Sequence, residues 1–241
     1  SNVGTAASHV VAGSRLPLDP QQKADIERYL DATRSVLLYA RRIMLVEGPA
    51  ELYLLPPLIK QALGIDLDRA GITLVAIHGV HFEEYAALFG STAMPKRCAI
   101  VADGDAVASG VLRDVDDRDL PSVAVRNYSN IENAFVKAFV SRTTLERELA
   151  LPGNLEMFAN TAVALGAPRV GTKLRAWQSA LGSGVDMGTQ LKTLSEAGEK
   201  ILRTAQRFGK ARFAQIASRY VQSGCELPAY VAEAVQWLTE E

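Results

Sequence analysis

Two apolar runs in this chain each end on acidic residues, and that pairing restricts the available folds more than any other feature. Ile43-Met44-Leu45-Val46 leads into Glu47-Gly48-Pro49-Ala50-Glu51, and Cys98-Ala99-Ile100-Val101-Ala102 leads into Asp103-Gly104-Asp105. A short run that is apolar at every position reads as a strand covered on both faces. The Gly48-Pro49 step then turns the chain into a helix with Pro at its first position. Ile72 to His78 and Ser122 to Arg126 read as two further strands, with helical stretches over 49–63 and 82–89 between them. Strands alternating with helices imply βα units and a mainly parallel sheet. Ligands of such sheets bind beyond the carboxyl ends of the strands, where Glu47 and Asp103 fall.

The rest of the chain divides around this core. Residues 1–40 read as an N-terminal segment and a linker helix opening near Asp19-Pro20. Residues 41–135 form the α/β unit. Residues 136–241 read as a helical domain, with segments 132–140, 143–150, 154–165, 173–181, 188–207, 210–223 and 228–239 punctuated by Gly and Pro. No further central strand is expected after Asn130. Pro56-Pro57 lies inside the 49–63 helix and predicts a kink or break there, because proline removes a backbone donor and crowds the preceding turn. The chain opens without Met, which fits a piece of something longer.

Composition excludes several classes. No apolar run approaches the roughly 20 residues of a membrane span. Cys98 and Cys225 stand far apart with no Cys/His framework, so they read as buried thiols of a reducing, cytoplasmic compartment. The net charge of −1 is unevenly spread. The α/β unit is acidic, whereas 192–219 carries Lys192, Lys200, Arg203, Arg207, Lys210, Arg212 and Arg219 against Glu196 and Glu199 alone. An acidic site beside a basic helical surface suits an anionic polymer handled with the help of cations.

If the two strand ends are neighbours, Glu47, Glu51, Asp103 and Asp105 crowd one pocket. Two like charges about 4 Å apart at an effective dielectric of about 20 repel by about 4 kcal/mol. Some of these groups must be protonated, or cations must sit among them. Carboxylate oxygens are hard ligands suited to Mg²⁺ or Mn²⁺. Gly48 and Gly104 each follow a carboxylate, where a missing side chain lets backbone and ion approach closely.

These motifs resemble the Toprim domain, with a Glu after its first strand and Asp-x-Asp after its third. The longer stretch Leu45-Val46-Glu47-Gly48-Pro49-Ala50-Glu51 is similar to the nucleases named for overcoming lysogenization defect, the OLD family. The resemblance implies a two-ion Mg²⁺ or Mn²⁺ site held by Glu47, Glu51, Asp103 and Asp105. Val107 stands where many Toprim domains have a third aspartate. The family's glutamate after the next strand maps onto Glu132, in Asn130-Ile131-Glu132. Its C-terminal lysine, beside a Gly and ahead of Phe-Ala, maps onto Lys210 in Gly209-Lys210-Ala211-Arg212-Phe213-Ala214.

The implied activity is hydrolysis of DNA phosphodiesters, with Glu47, Asp103 and Lys210 catalytic and Lys200, Arg203, Arg207 and Arg212 on the DNA backbone. The resemblance also implies an N-terminal ABC-type ATPase in the full-length protein, since this chain holds no G-x-x-x-x-G-K-[ST] stretch. Two rivals remain open. Asp103-Gly104-Asp105-Ala106-Val107 also fits the motif of haloacid-dehalogenase-type phosphatases, with Asp103 as nucleophile. A non-catalytic scaffold stabilised by one ion is the other. His78 and His81 read as turn residues, and Asp114, Asp116, Asp117 and Asp119 as a solvated loop.

Overall fold

The computed structural model describes residues 19–20, 36–77, 82–104, 128, 130–181 and 185–240. Most of the expected 20–40 helix, the strand expected over 122–126, Asp105, Val107, His78, His81 and the acidic run 114–119 lie outside the described residues.

Four strands form one parallel sheet: β1 (Arg42–Val46), β2 (Ile72–Ala76), β3 (Cys98–Ala102) and β4 (Val136–Val140), in the order β2-β1-β3-β4. Helix α1 (Val36–Tyr39) precedes β1, α2 (Pro49–Leu63) and α3 (Leu67–Ala70) join β1 to β2, and α4 (Phe82–Ala86) lies between β2 and β3. After β4 come α5 (Leu145–Glu148), α6 (Leu155–Ala164), α7 (Pro168–Ala180), α8 (Met187–Phe208), α9 (Lys210–Ala217) and α10 (Ala229–Thr239). This is the expected α/β core with a mainly helical C-terminal region. Among the described residues no helix is long and apolar enough to cross a membrane.

The strands are apolar throughout because both faces are covered. Ile43, Leu45, Cys98, Ile100 and Ala102 face a core shared with Leu37, Phe82, Tyr85 and Phe89. Met44, Val46, Ala99 and Val101 face the opposite way, into a core with residues of α2, α6, α8, α9 and α10. Sheet and C-terminal helices therefore share one packed interior. Cys98 and Cys225 are buried and unbridged, and burial raises the Cys98 thiol far above its ordinary pKa.

Two expectations are corrected. Val136–Val140 is a strand, paired in register with β3 from Cys98↔Val136 to Ala102↔Val140, where a helical segment was expected. Val136 faces one core and Phe139 the other, so their three-residue spacing imitates a helix while serving a strand covered on both sides. Helix α2 also runs unbroken through Pro56 and Pro57. The missing donors would have served the carbonyls of Leu52 and Tyr53, which sit on the solvent side. The opposite stripe, Ala50, Leu54, Leu55, Leu58 and Ile59, is buried and holds the helix to the sheet.

Candidate active site

The chain leaves β1 toward β2 on one side and β3 toward β4 on the other, so the carboxyl ends of β1 and β3 flank the switch point of the sheet. Glu47 and Asp103 are the first residues beyond those ends. Glu47 Oε1 accepts a hydrogen bond from the Asp103 backbone N–H at 2.7 Å. Glu51, one helical turn on, accepts at Oε2 from the Gly48 N–H at 3.1 Å and so caps α2. Asp103 Oδ1 accepts from the Leu145 N–H at 2.9 Å, at the start of α5. That helix carries Glu146, buried, with its Oε2 3.1 Å from Lys210 Nζ.

Local backbone chemistry fixes these positions. A side chain at Gly104 would place its Cβ 2.0 Å from the Ser141 carbonyl oxygen, so the end of β3 closes on the end of β4 only because residue 104 has none. Gly104 N–H donates to Ser141 Oγ at 3.1 Å and to the Thr143 carbonyl at 3.3 Å. The Gly48 position is different. Its backbone is extended and a Cβ there would make only ordinary contact with Glu51, so close approach does not require glycine. Gly209, at φ +87°, makes the turn from α8 to α9 that places Lys210 at the first position of α9. Helix α9 packs on α2, which brings Lys210 toward Glu51.

The electrostatics follow from burial. Burial, then the charges of Glu47, Glu51 and Glu146, push the Asp103 carboxyl up to about 8, with Lys210 opposing. Burial raises Glu51 to about 7, with Glu47 and Glu146 adding to it and its backbone hydrogen bonds opposing. Burial works against the Lys210 ammonium, but Glu146, Asp103 and Glu51 outweigh it and hold its pKa above the usual lysine value. Tyr230, in the first turn of α10, is raised well above its ordinary value by burial and by Asp103, Glu148, Glu51 and Glu47.

The structure thus brings Glu47, Glu51, Asp103 and Lys210 to one place. Asp105 lies outside the described residues. Glu132 is elsewhere: it is exposed, and its Oε1 accepts from the Ala138 N–H at 2.8 Å, on the outer edge of β4 and short of the strand's end. The glutamate that joins the others after the neighbouring strand is Glu146. Sequence reasoning missed it because the strand before it was read as helix. Arg203, Arg207 and Arg212 are exposed on α8 and α9 and Lys200 is half-buried; Arg203 Nε stands 4.0 Å from Glu199 Oε2.

The donor set fits a hard divalent cation. Its carboxylate oxygens carry shared negative charge, and the neighbouring Thr144 Oγ1 is buried without a hydrogen-bond partner. Among the described residues, however, no three acidic, His or Cys side chains stand as a ready-made ligand cluster. Backbone N–H groups hold Glu47, Glu51 and Asp103, and Lys210 faces Glu146.

Comparison with known proteins agrees with this fold. Residues 38–105 match the family described as overcoming lysogenization defect protein-like, TOPRIM domain. No curated protein matches the chain. The C-terminal region of the Burkholderia pseudomallei OLD protein superposes with a TM-score of 0.56 at 24% identity, covering 83% of this chain and 96% of that one. The C-terminal region of the Xanthomonas campestris pv. campestris OLD protein, phased with mercury, does so with a TM-score of 0.55 at 26% identity, covering 83% and 95%. Residues 38–105 are therefore the Toprim domain of an OLD-like protein, and the chain has the fold of the C-terminal region of OLD proteins.

Proposed function

We propose that the chain is a divalent-metal-dependent DNA endonuclease that nicks or cuts phosphodiesters. The observation that carries this reading is the meeting of Glu47, Glu51, Asp103, Glu146 and Lys210 at the sheet's switch point, with two of the carboxyls raised into the neutral range. Glu47, Glu51, Asp103 and Glu146, with Asp105, would hold two Mg²⁺ or Mn²⁺ ions. When bound, such ions supply an activated water and a Lewis acid at the leaving oxygen.

The chain's own groups do the rest. Asp103 and Glu47 tie the ends of β3 and β1 together, so the acidic groups are presented by rigid elements. Lys210 contributes a point cation beside the acids, where it neutralises charge growing on the scissile phosphate. Lys200, Arg203, Arg207 and Arg212 contact the DNA backbone; such contacts position DNA without reading its sequence. The proposal includes an ABC-type ATPase domain N-terminal to this region in a cytoplasmic full-length protein, and cutting by this region without ATP.

Plasmid nicking with Mg²⁺, Mn²⁺ or chelator, by the parent chain and Asp103→Ala, tests the reading. Nicking is expected with either metal and lost with chelator or the substitution. Cleavage that survives both overturns it.

A further inference from the structure

Helix α10 runs antiparallel to β3. Its last turn lies at the start of that strand, where Arg97 Nη1 donates to the carbonyls of Trp237 and Glu240, the latter at 3.0 Å. The Arg97 guanidinium also stands over the Trp237 ring, 5.3 Å from its centroid. The helix packs on β3 and β4. Its eleven residues rise about 17 Å at about 1.5 Å each, close to the span of the five-residue strand at about 3.3 Å each. The first turn of α10 therefore falls at the carboxyl end of β3. Val231, Ala234, Val235 and Leu238 share a core with Ala99 and Val101. Side chains alternate along a strand, and one step past β3 that alternation puts Asp103 on the face that α10 covers.

Tyr230 stands in this first turn, half-buried and packed against the same core. The acids that act on its phenol are Asp103, Glu148, Glu51 and Glu47. Each of the four is held by another donor. Asp103 takes the Leu145 N–H, Glu47 the Asp103 N–H and Glu51 the Gly48 N–H. Glu148 Oε1 takes the Thr143 N–H at 2.9 Å and the Thr143 hydroxyl at 2.7 Å. Among the described residues none accepts a hydrogen bond from the Tyr230 hydroxyl. Phenols in such places ordinarily find a partner, so this one is a donor left for a ligand. It is protonated and uncharged at neutral pH, so it does not compete with cations for the carboxylates as an ammonium would. Lys210, by contrast, is engaged 3.1 Å from Glu146.

We propose that Tyr230 is a further catalytic residue of this site, its hydroxyl donating a hydrogen bond to a non-bridging oxygen of the phosphodiester being cut. The identity of the ligand rests on the nuclease reading; the position of the phenol does not. The proton stays on the phenol throughout. The bond strengthens as negative charge grows on the phosphate oxygen, so its loss weighs more on rate than on binding.

The test is Tyr230→Phe, which removes one oxygen and breaks no hydrogen bond among the described residues. Tyr39→Phe, at an exposed residue before β1, is the control. All three proteins are first shown to melt alike and to gain the same stability from Mn²⁺. Binding of a labelled 20-base-pair duplex is measured in Ca²⁺, and nicking in Mn²⁺. Nicking is repeated on duplexes whose linkages are all phosphorothioates of one configuration, Rp in one and Sp in the other. We expect Tyr230→Phe to lose about tenfold in binding and about 100-fold in nicking, with the control near the parent. Sulfur of one configuration should slow the parent about tenfold more than it slows the variant, which has no donor there to lose. Duplex binding equal to the parent's overturns the proposal. So does a variant slowed by sulfur as much as the parent in both series, since a packing role leaves those ratios unchanged. A parent that binds duplex but never nicks it in Mn²⁺ removes the nuclease reading, and the binding comparison in Ca²⁺ then decides the Tyr230 contact alone.

Discussion

The Glu47 carboxylate accepts the backbone N–H of Asp103 at 2.7 Å, a side chain from the end of β1 holding the main chain at the end of β3. Glu47→Gln keeps an acceptor there and removes the charge. Nicking is expected to fall about 100-fold or more, while the melting temperature of the metal-free protein holds or rises, since Asp103 loses a repelling neighbour. Initial nicking rates and a thermal melt check both halves. A full-rate variant would remove Glu47 from the site.

The raised carboxyls make a pH prediction. Glu51 and Asp103 move from ordinary values of 4.5 and 3.8 to about 7 and about 8. In this window the native state keeps protons that the unfolded chain has already lost, so their contribution to stability is full below about pH 4 and is lost as pH rises through 7 and 8. The metal-free melting temperature should fall between about pH 5.5 and 8.5, and Asp103→Asn should remove much of that fall. Mn²⁺ favours the ionised carboxylates, so it should raise the melting temperature more at pH 8.5 than at 5.5.

Glu146 and Glu132 separate two versions of the site. Glu146→Gln is expected to abolish metal-dependent nicking, and Glu132→Gln to leave it within about twofold, because a side chain bonded to the outer edge of β4 does not reach the pocket. The same pair assayed for Mn²⁺-induced thermal stabilisation should divide the same way. Loss of activity only in the Glu132 variant would reverse the assignment.

Lys210→Met tests the cation. The rate is expected to fall about 100-fold. Without metal the variant leaves buried Glu146 beside no ammonium, at a cost of about 1–2 kcal/mol, below the value for fully buried pairs because Lys210 is partly exposed. Mn²⁺ should recover more stability in this variant than in the parent. Denaturant melts with and without metal measure the difference.

Gly104→Ala should be strongly destabilising, by about 3 kcal/mol or more, since its Cβ would meet backbone at Ser141 rather than a side chain that could move. Gly48→Ala should cost far less, as only ordinary contact awaits it. Denaturant midpoints of the two variants should differ accordingly.

Much of this arrangement was legible in residue order. Ile43 to Val46 and Cys98 to Ala102 announce strands buried on both faces, and the acids after them announce a shared strand end. The position of Lys210 came from a resemblance in its surrounding residues, with no periodicity behind it. What stayed hidden has one physical root. Over five residues, a strand touching two different cores carries no alternation, so Val136 to Val140 looked helical and the turn after it was never read as a strand end. Glu146 follows that turn, beside Lys210, whereas the resemblance pointed to Glu132, which bonds to the outer edge of β4. The continuous α2 shows the converse: local proline chemistry predicts a break, and a buried stripe of five side chains overrides it.

The single interior shared by the sheet and the later helices has a practical consequence for anyone dissecting this protein. A fragment trimmed after residue 135 would retain Glu47, Glu51 and Asp103 but forfeit β4, Glu146 and Lys210, and would expose the underside of the sheet to water. The acidic cluster and its covering core therefore come as one piece, and a fragment that keeps Lys210 and a covered sheet extends through α9 and α10.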